Sequence, residues 1–581
     1  KQACLSAGVT RLSSPSQLIR KSPFPGSMQV PSDDDNPLES HGIGKTDNDC
    51  SLIIELSEND PMFGKKEILL KNKGFGSKEQ IIFNRLSGSD WVHATLDRCL
   101  KVARIIHLDA VELYFAGDVD SEVGFCSARN ELESLNSIIS LIDSTLFSVE
   151  DTRMNSLLEL REATLSRIHD FGEKYGVDSI IIESCSCEKN KFLLQWAESN
   201  GVVSKLQLAY VEGAGRGALA IEGLDVGDVA LEVPVSIIIS EELLHESDMF
   251  PVSGKIGGVS SQTMLLLWSM KERYNCNSRF KIYFDTLPED FNTGLSFGVD
   301  AILALDGATL LDEIVQAKQH LRMQYDQLFP ALSEDFPDVF PPELFTWEQF
   351  LWACELWYSN GMMVMFTDGE PRTCLVPIAG FLNHSVCPHI MHYGKVDPAT
   401  NSLKFPLSRP CKKGEQCCLS YGNFSSSHLV TFYGFLPQGD NYYDVIPLEI
   451  EVAQSDFRVS CHMVRGTWLS NNHGIFCYGL PPPLLECLRR MEDPLLHVDP
   501  FCRSNLEVEM RVIDNLMSIF GEMMENLGEA RSEERESGRW DVKLAVKFKD
   551  MQRRAVSSIL ASCCAGRSLV EEQLCKLGGQ R

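Results

Sequence analysis

Between Leu206 and Leu448 of this chain of 581 residues the hydrophobic period changes twice, and that limits its possible folds more than any other feature. Between Leu206 and Ile239 short β-branched runs are punctuated by glycine. Gln207 to Val211, Ala218 to Ile221, Val229 to Val233 and Ile237 to Ile239 are expected as strands, with turns at Gly213, Gly223 and Gly227. From about Glu241 to Met365 the spacing is helical. The clearest helix opens at Thr346 with Gln349 three residues on, a capping box. It lays Trp347, Leu351, Cys354 and Tyr358 along one face and stops at Asn360-Gly361. From Arg372 to Leu448 strands and turns return, dense in Gly, Pro and Asn. A β unit interrupted by a long helical insert follows, an α+β architecture.

The flanks differ from this unit. Residues 1–48 carry serines, prolines and the run Asp33-Asp34-Asp35 with almost no periodicity, so no packed structure is expected there. From 49 to 186 helical spacing dominates, near Leu132 to Ile142 and again through Leu157, Leu160, Ala163, Ile168 and Phe171, giving an α-rich extension. The β unit spans 187–450 with its insert at about 241–370. Residues 451–581 form an all-α region: Val512, Leu516, Ile519, Met523 and Leu527 line one helix, Val542, Val546, Ala555 and Ile559 a second, and Arg531 to Arg535 make a charged link between them.

A composition of 44% hydrophobic and 23% charged residues excludes wholesale disorder. The net charge of −28 argues against nucleic acid and anionic membranes as partners, because capturing phosphate needs a positive field. Runs such as Met264 to Trp268 fall far short of the roughly 20 residues that span a bilayer. The 20 cysteines are scattered rather than paired into a framework, which predicts reduced thiols inside a cell, in cytoplasm or nucleus. A chloroplast is the alternative, since residues 1–32 hold Arg11, Arg20 and Lys21 and no acidic side chain precedes Asp33.

Three segments carry the candidate chemistry. Gly213-Ala214-Gly215-Arg216-Gly217 follows a strand, but Leu219, Ile221 and Val226 after it read as strand and turn. The helix that a dinucleotide loop requires is missing. A plain hairpin corner and a backbone edge open to a flat cofactor both fit. Phe381-Leu382-Asn383-His384 leads into Cys387, His389 and His392, whose spacing matches no common zinc pattern, so no metal is expected. Asn383 and His384, after an apolar Leu375 to Ile378 strand, suit a buried polar turn where two chain segments cross. The third segment, Gly414-Glu415-Gln416 through Tyr421-Gly422, ends a short strand with a tyrosine. Ser425 to Ser427 beside His428 invite a hydrolase, but no G-x-S-x-G elbow surrounds them.

Taken in order, Gly215-Arg216-Gly217 with Gly227-Asp228 and Val233-Pro234, Tyr283 with Leu287-Pro288, Asn383-His384-Ser385, Gly414 through Gly422 and Tyr433-Gly434-Phe435 resemble SET-domain protein methyltransferases of the Rubisco large-subunit and actin-histidine methyltransferase type. The resemblance spans about Trp196 to Leu448 and implies a knotted β SET fold that binds S-adenosyl-L-methionine and a protein substrate, with the tail acting as a substrate-binding domain. It implies that Ala214, Gly215 and Arg216 meet the cofactor through the backbone, that Gly380, Phe381, Leu382, Asn383 and His384 hold it, that Tyr433 stacks near the adenine, and that Tyr421 is catalytic. The activity implied is N-methylation of a lysine, or a histidine, on a non-histone protein. A degenerate SET module that only binds protein is the alternative. Three positions depart from the family's pattern: Gly380 stands where many members have an acid, Asn360 where they have arginine, and Ser426 where they have asparagine.

Overall fold

The computed structural model describes residues 51–82, 89–116, 124–147, 154–176, 179–184, 188–253, 259–451, 459–494, 499–529 and 538–578. The leader and the Arg531–Arg535 link lie outside the described residues.

Besides the hairpin of Gly361–Met365 with Pro371–Leu375, the predicted β unit forms two small antiparallel sheets among the described residues. One orders the strands Ile181–Ser184, Leu206–Val211 and Gly215–Ala220. The other orders Val396–Asp397, Ser402–Pro406, Val229–Pro234 and Val203–Ser204. Three sequence expectations need correction, the first being the all-α tail, in which Val459–Val464 is a strand paired antiparallel with Ile446–Glu451. Residues 237–239 are not a strand: Val235–Ile237 is a tight 3₁₀ turn, and Ile239 makes only an isolated bridge to Leu375. The Pro371–Leu375 strand also stops short of Ile378. That residue is buried with φ +72°, a conformation that strains a β-branched side chain and is held by the packing around it. The turn it makes sends Ala379–Phe381 into a 3₁₀ turn that leads to the buried Leu382 and the half-buried Asn383.

The threading follows from hydrogen bonds around one residue. Leu419 N donates to Asn383 O, Ser385 N donates to Leu419 O, and Ser420 N donates to Ile390 O. Leu419 is bridged in parallel to both His384 and Ile390, so the chain at 418–420 passes through the loop 384–390. On the way there Cys417 N donates to Ala218 O, and Ala220 N donates to Glu415 O. This pairing is the knotted β element that the sequence led us to expect.

The insert helix Trp347–Asn360 forms as its cap predicts: Thr346 Oγ1 accepts from Gln349 N at 3.4 Å. It buries Glu355, whose Oε1 accepts from Thr293 Oγ1 and Ser296 Oγ, each at 2.6 Å. Burial pushes this carboxyl from its ordinary 4.5 up to about 7, against the pull of those two hydroxyls. The fold therefore holds a proton there that the unfolded chain gives up at lower pH. The associated stability is complete below about 4.5 and lost as pH rises through about 7, on the order of 3 kcal/mol in all. Chemical denaturation across that window is expected to show a decline for the wild type that Glu355→Gln flattens. Superimposable profiles for the two proteins would remove Glu355 from the pH response.

Two further groups of helices flank this unit among the described residues. In the extension, Ser89–Ile106, Ala128–Leu146 and Met154–Tyr175 pack around Leu100, Leu132, Leu135, Leu157 and Leu160, and Cys387 of the threaded loop joins that core. At the other end Arg503–Leu527 lies along Trp540–Gly578. Their core includes Phe297, Ala301, Leu305, Leu310 and Ile314 from the insert and Val430 from the β unit. No helix among the described residues is long and apolar enough to cross a membrane.

Candidate active site

The site grows from one glycine. A Cβ on Gly217 would stand 2.9 Å from Gln416 Oε1 and 3.1 Å from Asn383 Nδ2, so only glycine lets the hairpin strand lie against that corner. With it there, Asn383 Nδ2 donates to the backbone carbonyl of Arg216 at 3.1 Å. The Arg216 side chain turns the other way. Its guanidinium sits 5.0 Å from the Phe381 ring and donates to Thr286 O at 2.6 Å, tying hairpin to insert. At the hairpin tip Gly213 and Gly215 have φ of +73° and +72°. No atom lies within 4 Å of where a Cβ would stand at either, so the tip is uncrowded, while the Ala214 N–H donates to Val211 O at 3.2 Å.

On the opposite wall His384 Nδ1 accepts from the Tyr421 backbone N–H at 3.1 Å, and the Tyr421 hydroxyl donates to Leu382 O at 3.1 Å. Both bonds hold Tyr421 to the 382–384 corner. Burial lowers the His384 imidazole to about 4, which keeps it neutral at physiological pH, and pushes the Tyr421 phenol upward, which keeps it protonated. The Tyr421 ring stacks on Tyr433 at 5.0 Å and meets Phe435 edge-on at 6.2 Å. Tyr393, which the sequence did not single out, donates from its hydroxyl to Ser420 O at 2.5 Å and so holds the strand end just before Tyr421.

Two of the departures are neighbours. A Cβ on Gly380 would stand 3.0 Å from Asn360 Oδ1, so the position without a carboxylate faces the position without an arginine. Losing both members together leaves no unpaired charge behind, whereas losing one would. Arg372 does not fill the gap, since it is engaged with Asp368 and lies over Phe366. At the third departure, Ser426 is buried and its Oγ donates to Asp444 Oδ2 at 2.7 Å, while its N–H donates to Oδ1 at 2.6 Å.

The histidines and cysteine of the 384–392 segment do not meet. His384 faces Tyr421, Cys387 enters the extension's core, His392 lies 3.4 Å from Glu133, and His389 turns toward Glu415. The serine cluster is structural as well. Ser425 Oγ accepts from His428 N as a helix cap, and His428 Nε2 is buried without a hydrogen-bond partner. Beside the corner lies a cavity of about 190 Å³. Its walls come from His384, Ser420 and Tyr443 on one side and from Phe125, Arg129 and Tyr175 of the extension on the other. The extension is anchored there by Asp109, which accepts from Asn423 Nδ2 at 2.9 Å and from the Tyr443 hydroxyl at 2.8 Å.

No protein-family model matches the chain. Among curated proteins it is similar to the chloroplastic [fructose-bisphosphate aldolase]-lysine N-methyltransferase of Arabidopsis thaliana, 26% identical over 274 residues that cover 45% of this chain and 55% of that one. It matches the chloroplastic ribulose-1,5-bisphosphate carboxylase/oxygenase large subunit N-methyltransferase of Pisum sativum at 26% over 274 residues, covering 45% and 54%. It matches the actin-histidine N-methyltransferase of Homo sapiens at 23% over 270 residues, covering 45% of each. The chain thus spans about half the length of the curated relatives it matches. Among solved structures, Rubisco LSMT bound to AdoMet superposes with a TM-score of 0.50 at 18% identity over 68% of this chain and 96% of that one. The SET domain of LSMT bound to lysine and AdoHcy does so with 0.51 at 18% over 67% and 95%. The fold is a SET domain. The Rubisco LSMT structures share that fold, which the order of motifs led us to expect.

Proposed function

We propose that the chain is an S-adenosylmethionine-dependent protein N-methyltransferase, with a lysine side chain of a non-histone protein as the favoured acceptor and a histidine as the alternative. The observation that carries this is the phenol of Tyr421 held 3.1 Å from Leu382 O in the corner built by Asn383 and His384. The residues present fit the cofactor. The hairpin tip at Gly213 and Gly215 is uncrowded, the Asn383 amide nitrogen is tied to Arg216 O, and Tyr433 and Phe435 supply aromatic surface for an adenine. S-adenosylmethionine, when bound, supplies a methyl group on a sulfonium sulfur.

The remaining work falls to the chain. A lysine ammonium with an ordinary pKa near 10.4 must lose its proton before its lone pair can react, and an aromatic, dry mouth favours the neutral amine. Tyr421, being protonated, is no base. Its hydroxyl hydrogen is committed to Leu382 O, which leaves its oxygen to accept a hydrogen bond from the amine and set the direction of the lone pair. The Leu382 carbonyl lies beside it and can take a weak C–H···O contact. Catalysis by alignment and desolvation needs no nucleophile on the enzyme.

Isothermal titration of the full chain with S-adenosylmethionine is expected to give saturable binding, and methyl-labelled cofactor is expected to mark a protein in extract from cells lacking this chain. Binding without labelling would favour a module that has kept the fold and lost transfer, and absence of both would end the proposal. The C-terminal helices are the proposed docking surface for the protein substrate. Because their core is shared with the insert, photo-crosslinking from that face tests the idea more cleanly than deletion; crosslinks confined to other faces would refute it. The two plant relatives are named as chloroplastic, which supports a chloroplast as the compartment, to be checked by imaging a full-length fusion; a cytoplasmic or nuclear signal would refute it.

A further inference from the structure

Four cysteines lie close to the threading, and they are not alike. Cys387 packs into the extension's apolar core, and Cys418 Sγ accepts a hydrogen bond from Gln416 Nε2 at 3.0 Å. Cys411 and Cys417 instead face His389: their two sulfurs and a ring nitrogen of His389 all lie within 4.8 Å of one another, and all three residues are buried. The nearest carbonyls to Cys411 Sγ are at 3.9 and 4.0 Å, at the outer limit for a thiol donor.

The surroundings orient the histidine. Cys418 N–H donates to Nδ1 at 3.1 Å, which puts the proton on Nε2, and Nε2 meets Glu415 Oε1 at 2.9 Å. Glu415 is itself held by Lys412 N at 2.8 Å and lies 3.5 Å from the buried Arg409. A carboxylate fixing the far nitrogen of an imidazole is the usual outer support of a metal-bound histidine.

We propose that His389, Cys411 and Cys417 bind a zinc ion. Two thiolates and a neutral imidazole around a dication sum to zero charge, and Arg409 beside Glu415 also sums to zero, so the group suits a dry interior. Binding releases two thiol protons to solvent, and the ion takes the Nδ1 lone pair in place of the Cys418 N–H. Soft sulfur donors with imidazole select zinc over magnesium or calcium. The donors come from two threads of the knot. His389 lies on the loop 384–390, while Cys411 and Cys417 flank the turn whose backbone pairs with Leu224 and Ala218. The ion thereby clamps the crossing that carries Asn383, His384 and Tyr421, whether or not the chain transfers methyl groups.

The full chain, reconstituted with excess zinc and desalted, is expected to retain about one zinc per molecule by elemental mass spectrometry. The double variant Cys411→Ser with Cys417→Ser is expected to retain less than about a tenth of that, while Cys563→Ser, a buried thiol in the last helix, keeps it. Wild-type protein without bound zinc after reconstitution, or a Cys411–Cys417 disulfide found by peptide mapping of metal-free protein that refuses zinc, overturns the proposal. If the double variant does not fold, cobalt substitution of the wild type decides. A thiolate-to-cobalt charge-transfer band supports the site, and a cobalt spectrum without one rejects it.

Discussion

Replacing Tyr421 with phenylalanine is expected to lower the rate of methyl transfer by roughly a thousandfold while cofactor affinity changes by less than about threefold. The substitution removes one oxygen. The ring keeps its stacking on Tyr433 at 5.0 Å, and the backbone N–H of residue 421 keeps its bond to His384, so the corner itself stands. What goes is the bond to Leu382 O and the acceptor that sets the amine's direction. Losing alignment without losing binding lowers kcat and kcat/KM together. Single-turnover rates beside a calorimetric titration separate the two effects, and a variant that turns over within threefold of wild type would exclude the phenol from the reaction.

The second large effect is on the fold, at Gly434. This residue ends the helix Ser426–Tyr433 with φ +77° and turns the chain so that Tyr433 and Phe435 both reach Tyr421. A Cβ there would stand 1.7 Å from Asn292 O and 2.7 Å from Asn292 C, both backbone atoms. Gly434→Ala therefore adds a steric conflict to the ordinary strain of a left-handed alanine and is expected to lose about 3 kcal/mol or more. Gly439 is the matched control. Its φ is +82° with no atom within 4 Å of a Cβ, so Gly439→Ala is expected to lose only about 1 kcal/mol. Urea midpoints for the two variants should differ in that order. Equal midpoints would mean that the loop at Asn292 yields freely.

Much of this was legible without coordinates because it depends on local periodicity. The Trp347–Asn360 helix, its Thr346 cap and the hairpin around Gly213 follow from spacing and from the few residues that tolerate a tight turn. The order of motifs was enough to expect a SET fold and to place Tyr421 near Asn383 and His384. The failures are equally physical. Ile378 looks like the end of a strand, since nothing in its neighbours announces a positive φ that only tertiary packing can hold. The spacing test for a metal compared His384, Cys387, His389 and His392, whereas the fold brings His389 near cysteines 22 and 28 positions further on, a proximity that no local pattern shows.

The amino-acid order alone pointed to most of the elements, to the faces they bury and to the candidate side chains, because propensity and periodicity act over a few residues. The tertiary structure decided which of those side chains touch. Asn383 reaches Arg216 across 167 positions, Asn360 comes to face Gly380, and the strand at Leu419 passes through a loop that closes around it. Such contacts depend on which hydrogen-bonding edges the threading leaves free, and a linear pattern of hydrophobic and polar residues does not encode that choice at any single position.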